Sequence, residues 1–239
     1  MESDIKSKFE AMMHAVIESR DKKELEEYGR ILSDTEREEK ENELEAARKD
    51  ERIKNRINLF LETVPLRFKN ATFDTFSCTS EKQKSVIDFL KKGKSAVIYG
   101  SNGTGKTHLA FASCFHQVAL GKTAKYILAF DFFNALRKSF SDYTTDRIMH
   151  EYEDVEYLVI DEIDKTQGTP MEFTYLYSLI NKRYNEMKST VLITNAKPDE
   201  FAAIIGQSAL DRVASEGKVI DLTGENYRQR KSLHSLKKE

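Results

Sequence analysis

The sequence has only two cysteines in 239 residues, Cys78 and Cys114, and no CxxC pair. That excludes a cysteine-based zinc module and leaves a disulfide framework little to build on. Two reduced cysteines fit a cytoplasmic protein. No apolar stretch comes near the roughly 18 residues that a membrane span needs. The opening MESDIKSKFE has no apolar core, so no secretory signal is expected. The five His show no HExxH or similar spacing, so no histidine metal site is expected. An excess of one charge sign is missing too: 38 Lys and Arg against 40 Asp and Glu give a net charge of −2. A uniformly basic nucleic-acid coat is thereby excluded, while a local basic stripe is not.

What the chain does have is charge, unevenly spread. Charged residues make up 33%, against about 25% in ordinary globular chains, and the excess sits in residues 1–58. There both signs interleave, Pro is absent, and Phe9 and Tyr28 are the only aromatics. Such a composition favours helix over strand. Ile5, Phe9, Met12 and Val16 fall on one helical face, and Leu25, Tyr28 and Leu32 on a second. Ser33 with Glu36 has the form of a capping box opening a further helix. Residues 36–56 have few apolar positions and are either a solvated helix or a flexible spacer. The stripes are too narrow for a core of their own. Residues 1–58 are therefore expected to form a charged helical module and linker that docks on a partner through Ile5, Phe9, Met12 and Val16. Residues 59–239 form the second domain.

Pro65 should break the helix that leads into that domain. From Ser80 onward, short apolar strands alternate with amphipathic helices. Strands are expected at Ser95–Tyr99, Lys125–Phe130, Tyr157–Ile160, Thr190–Thr194 and Lys218–Leu222. Helices are expected at Ser80–Gly93, Lys106–Leu120, Asp131–Phe140, Pro170–Met187, Pro198–Gly206 and Ala209–Ala214. This alternation predicts an α/β fold, a parallel sheet covered by helices on both faces.

Four motifs carry chemistry. Gly100-Ser101-Asn102-Gly103-Thr104-Gly105-Lys106-Thr107 fits GxxxxGK[ST] between a strand and a helix. Glycines let the backbone curl until its N–H groups face phosphate oxygens, and the helix presents its positive end to the same anion. Lys106 then reaches the β- and γ-phosphates of ATP, and the Thr107 hydroxyl binds Mg²⁺. His108 is counted with this nucleotide site, its plain alternative being an ordinary helix residue. Leu158-Val159-Ile160-Asp161-Glu162 ends a buried strand in two acids. Asp161 is placed for the Mg²⁺ shell, and Glu162 to orient and deprotonate the attacking water. Asn195 ends another apolar strand and could bond the γ-phosphate or that water. Arg212, in Ala209-Leu210-Asp211-Arg212, could act as a finger on a neighbouring subunit's nucleotide, and Arg228 is a second candidate cation. Phe132, Phe133, Arg137 and Lys138 mix rings with cations, as single-stranded nucleic acid requires; the alternative is a core face for the rings and a solvated one for the cations.

The order of phosphate loop, VIDEID, ITNAKP, LDRV and NYRQR resembles an AAA+ P-loop ATPase of the DnaC/IstB group, and VPLRFKNATFDTF is similar to its lead-in. The likeness spans about residues 64–230. It implies that Gly100–Thr107 is the Walker A loop, Asp161 and Glu162 Walker B, Asn195 sensor 1 and Arg212 the arginine finger. It also implies oligomers with nucleotide between subunits, and DNA binding near Asp131–Tyr143. Eleven residues follow Arg228, so a full C-terminal lid is not expected. Among the group's roles, the acidic-leaning N-terminus favours a replicative helicase loader, with a hexameric helicase and single-stranded DNA as partners. The alternatives are an IstB-like transposition helper on duplex DNA, or a nucleotide-regulated adaptor for another protein.

Overall fold

The computed structural model describes residues 22–222 and Tyr227. The partner stripe Ile5, Phe9, Met12 and Val16, and Arg228, lie outside the described residues. The chain divides into two compact units, Met1–Arg52 and Ile53–Glu239. Helix α1 runs unbroken over Lys22–Thr63, so Ser33 and Glu36 lie inside it and open no new helix. Its Glu-, Lys-, Arg- and Leu-rich sequence explains the continuity, because each of these favours helix and opposite charges recur one turn apart. Every side chain from 37 to 52 is exposed, which makes this stretch a solvated helix. α1 stops two residues before Pro65, and a short 3₁₀ turn follows at Leu66–Phe68.

In the second unit, five parallel strands form one sheet: β1 (Ser95–Tyr99), β2 (Ala124–Leu128), β3 (Tyr157–Asp161), β4 (Ser189–Thr194) and β5 (Gly217–Asp221). The order is β2-β3-β4-β1-β5, with Val97 opposite Leu192 and Val219. Alternate residues of each strand feed opposite faces. Ala96, Ile98, Val159, Val191 and Ile193 enter one core with α2 (Glu81–Lys91), α3 (Lys106–Ala119) and the lead-in aromatics Phe73 and Phe76. Val97, Leu158, Ile160 and Leu192 enter the other, with α4 (Ala129–Asp142), α5 (Thr145–Glu153), α6 (Pro170–Asn185), α7 (Pro198–Ile205) and α8 (Gln207–Ser215). Burial on both faces is why β1, β3 and β4 read as continuous apolar runs, whereas the edge strands β2 and β5 are partly exposed.

Local polar contacts lock the helices in place. Ser80 caps α2 by accepting the Gln83 N–H, and Thr169 and Glu172 form a capping box on α6 with Pro170 in its first turn. Arg137 of α4 pairs with that Glu172 at 2.9 Å. Arg183 is fully buried and donates to the carbonyls of Tyr152 and Val155 (both 2.7 Å) and Ser189 (2.5 Å) and to the Thr190 hydroxyl (2.9 Å). Burial pushes its guanidinium down to about 10, still charged at neutral pH. Among the described residues no helix is long and apolar enough to cross a membrane.

Candidate functional site

Strands β1, β3 and β4 all deliver side chains to one end of the sheet, their C-terminal ends. β1 runs into Gly100, and the loop curls through positive φ at Gly103 (83°) and Gly105 (95°). Gly105 is required twice over: a side chain there would be strained, and a Cβ would lie 2.6 Å from the Phe76 ring. Thr104 turns inward and donates to the Ser101 carbonyl at 3.1 Å, which braces the loop.

Lys106 opens α3, and its buried ammonium donates to the carbonyls of Gly100 (2.7 Å) and Ser101 (2.9 Å) and to Asn195 Oδ1 (2.9 Å). Thr107 Oγ1 donates to Asp161 Oδ2 at 2.9 Å, and the Tyr126 hydroxyl, from the middle of β2, donates to the same oxygen at 3.0 Å. The Glu162 N–H donates to Asp161 Oδ1 at 2.7 Å. Burial raises the Asp161 carboxyl above its ordinary value, against the pull of these three donors. The Tyr126 hydroxyl is pushed far up by burial and by Asp161, so it stays a donor. Glu162 sits at φ 58°, ψ 39°, a left-handed conformation uncommon for a side-chain-bearing residue, and pairs with Lys165 at 2.5 Å.

Asp164 holds the next layer. Its Oδ1 accepts from the Asn195 N–H and the Thr194 hydroxyl, both at 2.9 Å, and its Oδ2 accepts from Asn195 Nδ2 at 3.0 Å. Burial acts to raise this carboxyl, but the bonds from Asn195 and Thr194 outweigh it and hold it below its ordinary value.

Of these groups, Lys106, Thr107, Asp161, Glu162, Lys165, Thr194 and Asn195 line a cleft of about 440 Å³ whose other end is built by the lead-in. Arg67, Phe68, Thr75, Phe76 and Ser77 form that end, closed by Tyr227. The Tyr227 N–H donates to the Gly103 carbonyl at 3.0 Å, and its hydroxyl bonds the Ser77 carbonyl. His108 lies with Nε2 2.9 Å from the Thr72 carbonyl and 3.3 Å from Thr75 Oγ1, tying α3 to the lead-in.

The structure therefore brings Lys106, Thr107, Asp161, Glu162 and Asn195 together. It does not bring Arg212 to the same cleft. Arg212 lies beside Ser95 and Ser189, at the opposite ends of β1 and β4. It donates to the Ser208 carbonyl at 2.8 Å, and its guanidinium stands 5.2 Å from the Tyr177 ring.

The structure does not offer the expected aromatic pair to nucleic acid. Phe132 and Phe133 are 0% and 1% exposed and belong to the second core, Phe132 against Tyr152 at 5.2 Å. Neither ring offers a face to a base. Arg137 is occupied by Glu172 and Asn134, leaving Lys138 as the exposed member of the four. Sequence reasoning missed Tyr126, Asp164 and the lead-in wall. Asp164 had a signal, a third acid in Ile160-Asp161-Glu162-Ile163-Asp164; Tyr126, one ring in a short strand, had none.

A profile of the family described as IstB-like ATP binding protein matches residues 8–235, nearly the whole chain. The chain belongs to this family. Its members bind ATP, and ATPase activity is what the family implies. A protein of Geobacillus stearothermophilus named for insertion sequence IS5376 and ATP binding is 28% identical over 172 residues, 66% of this chain and 68% of that one. The replicative helicase loader DnaC of Escherichia coli K12 is 26% identical over 155 residues, 61% of this chain and 63% of DnaC. The chain thus spans under two thirds of DnaC's length. A crystal structure of the DnaC helicase loader has the same fold, with a TM-score of 0.59 and 21% identity over 66% of this chain and 99% of that one. The fold is accordingly that of an AAA+ ATPase domain.

Proposed function

We propose that the cleft binds ATP with Mg²⁺ and hydrolyses it, and that this cycle serves the loading of a replicative helicase. The observation that carries the proposal is the meeting of Lys106 with Asn195 and of Thr107 with Asp161, each at 2.9 Å, beneath one curled glycine loop. The Lys106 ammonium rests on loop carbonyls and would exchange them for β- and γ-phosphate oxygens. Thr107 and Asp161 supply two hard oxygen ligands. Mg²⁺ suits such a sparse set, since it keeps waters and takes its other ligands from phosphates. When bound, the ion neutralises charge that builds on the phosphates. Glu162 accepts the proton of the attacking water, and Asn195 holds that water or Lys106 in place.

Three supports favour the loader reading. DnaC is a relative by name. The segment 1–58 is acidic-leaning, with an apolar stripe at Ile5, Phe9, Met12 and Val16 that suits a groove on a protein. On α4 Lys138 is exposed and Phe140, two residues on, is half-exposed, a cation and a ring of the kinds that single-stranded DNA uses. The IS5376 relative favours a second reading, a transposition helper that binds duplex DNA. Affinity capture of a hexameric replicative helicase by the full chain and by Phe9→Ala separates the two. The loader reading predicts ATP-stimulated capture that Phe9→Ala loses, and tighter binding of single-stranded than of duplex DNA. No capture, with preferred duplex binding, would favour the transposition reading.

A further inference from the structure

Asn195 has two chemically different ends, and in this fold both are spoken for by charge. A carboxylate accepts hydrogen bonds and donates none, so the end facing Asp164 has to be the amide nitrogen. An ammonium donates and accepts none, so the end facing Lys106 has to be the amide oxygen. The observed distances agree: Nδ2 to Asp164 Oδ2 is 3.0 Å, and Lys106 Nζ to Oδ1 is 2.9 Å. Asp164 in turn is held by two further donors, the Asn195 backbone N–H, which cannot exchange ends, and the Thr194 hydroxyl on β4. A fixed acid thus fixes the orientation of a mobile amide.

We propose that Asp164 is a positioning residue for the hydrolysis reaction, acting by turning the carbonyl oxygen of Asn195 toward Lys106 and the phosphate end of the cleft. The proposal rests on the hydrolysis reading above and deepens it. An acceptor at that place steers the Lys106 ammonium or a water O–H. The phosphate oxygens are themselves acceptors, so that oxygen has no hydrogen bond to offer them.

Asp164→Asn tests this without changing size. The Asn195 backbone N–H cannot turn, so the amide introduced at position 164 must keep its oxygen there and aim its NH₂ at the Asn195 side chain. The Asn195 amide then has to invert, and its NH₂ comes to face the Lys106 ammonium. Adding Asn195→Asp restores an acceptor on both sides: one carboxylate oxygen accepts from the introduced amide and the other faces Lys106. Steady-state hydrolysis and ATP affinity are measured on wild type, Asp164→Asn, Asn195→Asp and the double variant. Asp164→Asn should lower kcat roughly tenfold to a hundredfold, the scale on which outer-shell partners act, with Kd for ATP within about threefold. The double variant should exceed Asp164→Asn by about tenfold. Unchanged hydrolysis in Asp164→Asn, no gain in the double variant, or joint loss of ATP affinity and folding in Asp164→Asn with none regained in the double would overturn the proposal. If wild type binds ATP without turning it over, the hydrolysis reading fails by itself. The amide orientation is then still decided by the Asn195 side-chain ¹⁵N–¹H resonances, which must shift in Asp164→Asn; resonances left in place there would overturn the orientation as well.

Discussion

Asp161 and Asp164 are three residues apart, and their surroundings push them in opposite directions. Asp161 is buried and raised; Asp164 is held low by donors from Asn195 and Thr194 that overcome its burial. A carboxyl whose folded value lies below its unfolded one stabilises the fold above the unfolded value, 3.8 here, and loses that contribution as pH falls through the lower folded value. Asp161 acts oppositely, favouring the fold most when protonated. Comparing wild type with Asp164→Asn cancels Asp161. Wild type should melt higher at about pH 6, and the gap should close on acidification below 3.8. A gap that persists at low pH would mean that the difference is one of packing and not of charge. The residues proposed to meet nucleotide, Lys106, Thr107 and Asp161, are legible in the sequence because a phosphate loop dictates its own spacing. The roles of Asp164 and Tyr126 are not, because both act on other side chains and no ligand geometry dictates their spacing; Asp164 shows only as a third acid after β3, and Tyr126 not at all.

At the level of elements, strand positions were readable to within a residue or two: β1, β3 and β4 are buried apolar runs, and the edge strands β2 and β5, which carry Lys125 and Lys218, follow from the alternation with helices. Lys125–Phe130 ran too long as a strand: β2 stops at Leu128, and Phe130 is an exposed residue of α4. Helix α5 was missed because TDRIMHEYE buries only Met149 and Tyr152 as apolar side chains, with Ile148 half-buried against the same core. Phe132 and Phe133 illustrate the ambiguity of an aromatic pair on a helix, which fits a core as well as a base. Phe132→Ala should destabilise the fold by about 3–5 kcal/mol, read by urea denaturation. Lys138→Glu should leave stability within about 0.5 kcal/mol while weakening single-stranded DNA binding in a salt-dependent way. Equal DNA affinity in Lys138→Glu and wild type would remove α4 from the DNA-binding surface. Arg183→Ala removes the buried donor that the carbonyls of Tyr152, Val155 and Ser189 share. An unpaired buried acceptor costs about 1–3 kcal/mol, so a loss of at least ~3 kcal/mol is expected.

At the scale of the whole molecule, the position of Arg212 bears on assembly. It lies at the far end of β1 and β4 from its own cleft, where a finger cannot serve the same chain. We propose that it reaches a neighbouring copy's nucleotide. Mixing Arg212→Ala with Lys106→Ala should then recover part of the hydrolysis that each lacks, since some interfaces would join an intact loop to an intact arginine. No recovery at any mixing ratio, with co-assembly verified, would count against a shared site. The N-terminal stripe adds a separate expectation: Phe9→Ala should weaken helicase binding by about 2 kcal/mol while ATP affinity holds. The central claim is that one cleft both holds and cleaves ATP. It is tested most directly by measuring ATP affinity and turnover side by side on wild type, Lys106→Ala and Glu162→Gln. We predict lost affinity in the first variant, and retained affinity with turnover stopped in the second, because an amide cannot take the proton of water. Wild-type affinity in Lys106→Ala, or wild-type turnover in Glu162→Gln, would contradict it.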